Sequence, residues 1–202
     1  MKIIHYLTVI ICLISQSFTK NNVGIDSTES IPVFVEKQIT GEIKHTINYT
    51  DSIGRHCLVL TRQYLIDSAN KKTLVLKAFQ FNNINSVWKQ EWIIQDSIEC
   101  YHVDIDGNFF YDLISITDLN RDNVFETTIP YYLICSGGIE PELTKVILKQ
   151  EENKFTAKGE SLIKIDENNT YGGTYQIDKE LEHVPQYKKH IIETWKKAAG
   201  IE

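Results

Sequence analysis

Short runs of β-branched and aromatic residues, joined by connections of only a few turn-forming residues, constrain this chain more than any other feature. Connections such as Asp67-Ser68-Ala69-Asn70 and Glu151-Glu152-Asn153 leave room only for hairpins, so the strands they join must be antiparallel. The pattern predicts strands over residues 42–49, 55–65, 73–81, 87–94, 101–105, 125–134, 143–150, 154–158 and 162–165. A weak repeat links HCLVLTRQYL, LVLKAFQFNN and WKQEWII with FETTIPYYLI, LTKVILKQEEN and KFTAKGE. Two related halves, each an antiparallel meander, account for it, and so does shared hairpin chemistry alone.

One helix interrupts the β texture. Pro185 suits a first helical turn, and Tyr187, Ile191, Trp195 and Ala198 recur at spacings of four, four and three. Gly200 can end the element, whose apolar stripe should cover a sheet face. The expected fold is therefore mainly β (α+β): antiparallel β-meanders with one C-terminal amphipathic helix.

The start of the chain reads differently. Lys2 precedes an apolar run of about a dozen residues, and Ser15-Gln16-Ser17 gives a small-x-small cleavage pattern, so residues 1–17 are expected to be a signal peptide. The rival reading, a membrane-spanning helix, needs about 20 apolar residues, and this run meets polar Ser15 and Gln16 first. Residues 18–41 are expected to form a flexible lead-in, and 42–202 a single β-rich domain. Export places the protein in the periplasm or at the cell surface, with no transmembrane span after signal removal. Loss of Lys2 leaves 20 basic against 27 acidic residues, or −7, a balance that argues against nucleic acid as partner.

Cleavage would also remove Cys12, leaving Cys57, Cys100 and Cys135. An oxidising compartment favours one disulfide and one leftover thiol. Cys100 with Cys135 is the favoured pair, because both border the acidic loop described next; three buried thiols are the alternative.

That loop is Asp118-Leu119-Asn120-Arg121-Asp122-Asn123-Val124-Phe125-Glu126. Oxygen-bearing side chains at relative positions 1, 3, 5 and 9 match the first part of an EF-hand-like calcium loop, since calcium takes six to eight oxygen ligands. Asp118, Asn120, Asp122 and Glu126 would bind through side chains and Val124 through its carbonyl. Asn123 stands where glycine is usual, and Thr128 where a bidentate glutamate is usual, so this is no true EF-hand. The competing reading is a turn capped by its own Asp and Asn side chains.

His102, Asp104 and Asp106 would share one face of a strand, offering either a solvated surface or paired carboxylates. Trp88 and Trp92 should likewise share a strand face, while Tyr131, Tyr132, Tyr171 and Tyr175 lie near turns or at alternating strand positions, where aromatics can grip sugar rings. A nucleophile elbow, a phosphate-cradling Gly-Lys-Ser/Thr loop and zinc-finger cysteine spacing are all missing from the sequence.

ITDLNRDNVFE, together with SVWKQEWIIQDSIEC, LTKVILKQEENKFTAKGES and GGTYQIDKELEHVPQYKKHIIETWKK, resembles a family of small exported bacterial proteins catalogued as surface polysaccharide biosynthesis proteins. The resemblance spans roughly residues 55–198. It implies a role at the cell envelope and carries no reaction or catalytic residue with it.

The expectation is an exported, non-catalytic accessory or binding protein in surface polysaccharide production, partnered by envelope polysaccharide or its assembly proteins, with structural calcium in the acidic loop. A glycan-acting hydrolase using Asp104, Asp106 or Asp118 is the first alternative. A protein-interaction module offering an open sheet edge is the second.

Overall fold

The computed structural model describes residues 32–201, so the expected signal segment 1–17 lies outside the described residues. In chain order the elements are α1 (Val33–Glu36), β1 (Glu42–Thr50), β2 (Arg55–Ile66), β3 (Lys72–Ile84), β4 (Val87–Cys100), β5 (Asp104–Phe109), β6 (Ser115–Thr117), β7 (Glu126–Ser136), β8 (Leu143–Gln150), β9 (Asn153–Glu160), β10 (Leu162–Lys164), β11 (Thr170–Gly172), β12 (Tyr175–Ile177) and α2 (Pro185–Ala198). Short 3-10 segments cover Tyr111–Leu113 and Lys179–His183.

Hairpin connections set the topology. β1 to β4 form one antiparallel sheet in chain order, and β12-β9-β8-β7-β5 form a second, with β6 beside the start of β7. At the β3–β4 turn both central residues, Asn85 and Ser86, have positive φ, the backbone that suits the right-handed twist of a tight hairpin. The two sets of strands carrying the weak repeat, β2-β3-β4 and β7-β8-β9, are each three hydrogen-bonded neighbours, one set in each sheet.

Strand alternation then sorts side chains into layers. Leu58 and Leu60 of β2 and Leu74 and Leu76 of β3 face the second sheet, where they meet Ile129, Tyr131, Leu133 and Ile147. The opposite face of β2 and β3 presents Cys57, Val59, Phe79 and Phe81 to Val35 of α1. Val146, Leu148 and Ala157, on the far face of the second sheet, pack against Tyr187, Ile191 and Trp195 of α2. The order of layers is α1, first sheet, second sheet, α2. Complete burial of Trp195 and Ile191 stabilises the α2 layer by about 1.5–3 kcal/mol per side chain.

The C-terminal helix forms where its stripe predicts, with Pro185 in its first turn and Tyr187, Ile191, Trp195 and Ala198 buried. Gly200, at φ 72°, ends it: its N–H bonds the Lys197 carbonyl at 3.2 Å and that of Ile201 the Lys196 carbonyl at 3.0 Å, a Schellman closure.

Two expectations about the elements need correction, and three short strands are additional to those expected. The domain begins before residue 42, because Val35 is fully buried and the Thr40 carbonyl accepts a hydrogen bond from Thr61. β4 runs on to Cys100, so the strand expected over 101–105 begins only at Asp104. β6, β11 and β12, three residues each, are too short to leave an alternation pattern in the sequence. Cys100, at the end of β4, and Cys135, on β7, form a disulfide that joins the two sheets, while Cys57 lies buried outside it.

Candidate functional site

The acidic loop connects β6 to β7. Two of its residues, Arg121 and Asn123, adopt left-handed backbone, at φ 65° and 66°; asparagine tolerates this better than most residues. The loop closes on itself. Asp118 accepts the backbone N–H groups of Asp122 and Asn123 at 3.0 and 3.2 Å, and Asp122 accepts that of Val124 at 2.8 Å. Asn120 donates its amide to Asp122 at 2.6 Å, and Gln150 of β8 donates to both Asp122 and the Val124 carbonyl.

Glu126 is directed elsewhere. It starts β7 on the side facing α2, is fully buried, and accepts the Leu119 N–H at 2.8 Å and the Tyr187 hydroxyl at 2.7 Å. Burial pushes its carboxyl above the usual glutamate range, against the lowering effect of those hydrogen bonds. The five expected ligands thus occupy one loop, but among the described residues no three His, Cys, Asp or Glu side chains are grouped to hold a metal ion. Asp118 and Asp122 act as turn caps, and Glu126 as a link to the helix.

The His102, Asp104, Asp106 face does not form as expected. His102 sits in the bend before β5 at φ 60°, because β4 extends to Cys100 and leaves no strand for it. Asp104 and Asp106 do share a face of β5 and border a recess of about 330 Å³ with Gly137 and Gly138. Both Asp106 oxygens are engaged, by Arg62 at 2.7 Å and the Tyr132 hydroxyl at 2.8 Å. Asp118 cannot join them. Asp106 pairs with Ile134 near one end of β7 and Thr117 with Glu126 at the other, a separation of about 26 Å along an eight-residue stretch of strand. Paired glycosidase carboxylates stand roughly 5–10 Å apart.

Trp88 and Trp92 also depart from expectation. The β3–β4 register slips between Gln80 and Phe81, whose partners are Trp92 and Gln90, so Glu91 is the extra residue of a β-bulge. One extra residue reverses the alternation. Trp88 packs outward beside Phe81, whereas Trp92 packs inward against the core between the sheets.

Beyond Trp92 lies a feature that the sequence reading missed. Alternate residues of β9 point to opposite sides: Ala157 is buried in the α2 layer, while Lys154, Lys158 and Glu160 are exposed on the side facing the first sheet. That sheet ends at β4, so its edge residues Ile94, Gln95 and Asp96 look across an open trough at β8 and β9. Two adjoining hollows, of about 530 and 220 Å³, share Lys145 and Lys158 in their walls. Lys145 pairs with Asp96, which also accepts the Tyr131 hydroxyl at 3.0 Å. Lys149 lies 5.8 Å from the Trp92 ring centre, and its partial desolvation pulls its ammonium below the usual lysine range.

A buried polar cluster braces the end of the sandwich beside the acidic loop. His56 Nε2 lies 2.8 Å from Asp51 Oδ1, and the His56 ring stacks on Tyr49 at 4.5 Å. Asp51 also accepts the N–H groups of Ile53 and, across the sheets, Phe125. Near α2, His190 Nε2 lies within 3.2 Å of the Ser115 and Thr128 hydroxyls, and burial holds its imidazole below the usual histidine range.

Compared with protein families, curated proteins and solved structures, the chain matches none. Among the described residues no helix is long and apolar enough to cross a membrane.

Proposed function

We propose that the chain is an exported accessory protein of surface polysaccharide production that binds glycan and performs no chemistry on it. The open trough between β4 and the β8–β9 hairpin carries this reading. Polar side chains of β4, β8 and β9 line its two hollows, with Tyr131 in the wall of one and Tyr175 in the wall of the other. Sugar polymers are gripped through such combinations of hydrogen-bonding groups and aromatic faces. The resemblance to surface polysaccharide biosynthesis proteins supports the same role, and the disulfide suits the oxidising compartment that export requires.

The experiment is retention of the producing cell's purified surface polysaccharide on the immobilised mature protein, with reducing ends assayed in the eluate. Retention without new reducing ends is expected. Release of reducing ends that stops in Asp104→Asn would favour the hydrolase built on Asp104 and Asp106, which share a face of β5 beside their recess.

Calcium in the acidic loop is a separate part of the proposal. An ion held by Asp118, Asn120, Asp122, Glu126 and the Val124 carbonyl would compete with the hydrogen bonds that now close the loop.

A further inference from the structure

From the arrangement of lysines in the trough we infer that its ligand is an acidic polysaccharide whose carboxylate or phosphate groups are widely spaced, an inference that rests on the glycan-binding reading above. The β8–β9 register sets Lys145 directly opposite Lys158 and Lys149 directly opposite Lys154. All four share one face of the sheet, separated only by the Ile147–Thr156 pair. Like charges directly opposed across an antiparallel pair destabilise it. Two such pairs in one hairpin therefore act against folding, and an anion lying between the strands removes the penalty.

Local acids fill that role for one lysine of each pair only. Asp96 engages Lys145 from the edge of β4, and the charges of Glu91 and Glu152 reach Lys149. Glu160 lies exposed at the far end of the trough. Among the described residues Lys154 and Lys158 make no ion pair. These two exposed ammonium groups, one from each pair, are the points where a polymer's charges would dock.

Spacing discriminates between polyanions. Four residues of strand separate the two pairs by about 13 Å. A nucleic-acid strand carries a phosphate about every 3.4 Å, so most of its charges would meet no lysine here. The chain as a whole is acidic, at −6, which disfavours a dense polyanion further. A polysaccharide with one acidic sugar every few residues places charge at the two pairs and neutral hydroxyls between them, where Thr156 and Gln95 offer hydrogen bonds.

Affinity electrophoresis of the mature protein tests this, through gels containing gellan, a polymer whose uronic acids are separated by neutral sugars, a phosphomannan or neutral dextran, with oligothymidylate as competitor. Retardation by the uronate or the phosphate polymer is expected, weakened by salt, and the better of the two identifies the anion. In Lys154→Gln/Lys158→Gln the apparent Kd should rise roughly tenfold. Because that variant relieves like-charge contacts, its Tm should equal or exceed the parent's, separating lost binding from lost folding. Retardation by dextran alone, unchanged in the variant, would overturn the charge-based inference and leave glycan binding standing. No retardation by any glycan would overturn both, and oligothymidylate binding more tightly than either acidic glycan would overturn the choice of polymer.

Discussion

The Tyr187 hydroxyl lies 2.7 Å from Glu126 Oε1 and 2.8 Å from Gln150 Oε1, two acceptors for its single proton. Gln150 cannot be turned to donate instead, because its amide N–H groups already serve Asp122 and the Val124 carbonyl. The hydroxyl is shared between the Glu126 carboxyl and the Gln150 amide oxygen, both accepting from it. Burial raises the Glu126 carboxyl, against the lowering effect of the hydrogen bonds from Leu119 and Tyr187. Loop, second sheet and helix α2 are thereby joined through one carboxyl group.

Glu126 should make the protein less stable as pH rises. In the window above the ordinary glutamate value of 4.5 the native state binds more protons at this site than the unfolded chain. The unfolding free energy contributed here therefore falls until pH passes the raised folded-state value. Glu126→Gln should remove this part of the slope, leave stability at pH 5 little changed, and match or exceed the parent at pH 8. Urea midpoints measured across that range, parent against variant, give the difference.

Asp51 should behave in the opposite sense. Burial opposes its charge, but hydrogen bonds from His56 and Phe125 outweigh it and hold its carboxyl below 3.8. Its contribution is complete above the unfolded value and is lost as pH falls through the folded one. Asp51→Ala leaves the buried His56 ring nitrogen and the Phe125 N–H without their acceptor, at a cost of about 1–3 kcal/mol. The loss should appear at neutral pH and shrink towards pH 2, as read from urea unfolding.

How much of this was legible in the sequence depended on the range of the signal. Hairpin lengths and the Tyr187, Ile191, Trp195 spacing are local, and they predicted antiparallel sheets capped by one helix. The inward turn of Trp92 was not legible, because it depends on a bulge at Glu91 that only the partner strand's register reveals. Spacing places Glu126 among the loop's oxygens, but its burial and its bond to Tyr187 depend on where α2 packs, which spacing does not record. The lysine pairs were within reach. A two-residue hairpin at Glu151-Glu152 pairs Gln150 with Asn153, and counting outward sets Lys149 against Lys154 and Lys145 against Lys158. Their uncovered position was not, since it depends on the first sheet ending at β4.

The Cys100–Cys135 disulfide should dominate the response to reductant. It closes a separation of 35 residues, for which loop entropy gives about 4 kcal/mol. Cys100→Ser/Cys135→Ser should unfold at lower urea by that amount, and dithiothreitol should lower the parent's midpoint while leaving the variant's unchanged. An equal response of both proteins to reductant would place the effect elsewhere.

Asp118 supports two readings of the acidic loop that respond differently to calcium. Its carboxylate caps the N–H groups of Asp122 and Asn123, so Asp118→Ala should lower stability by about 1–2 kcal/mol in chelator alone. That loss belongs to the turn and needs no ion. A bound cation adds a term that depends on free calcium, as expected for a ligand that binds only the folded state. The proposed site predicts that millimolar calcium raises the parent's Tm and leaves Asp118→Ala where it melts in chelator. An equal Tm for the parent with and without calcium would remove the ion and leave the cap, because hydrogen bonds already satisfy the loop's backbone.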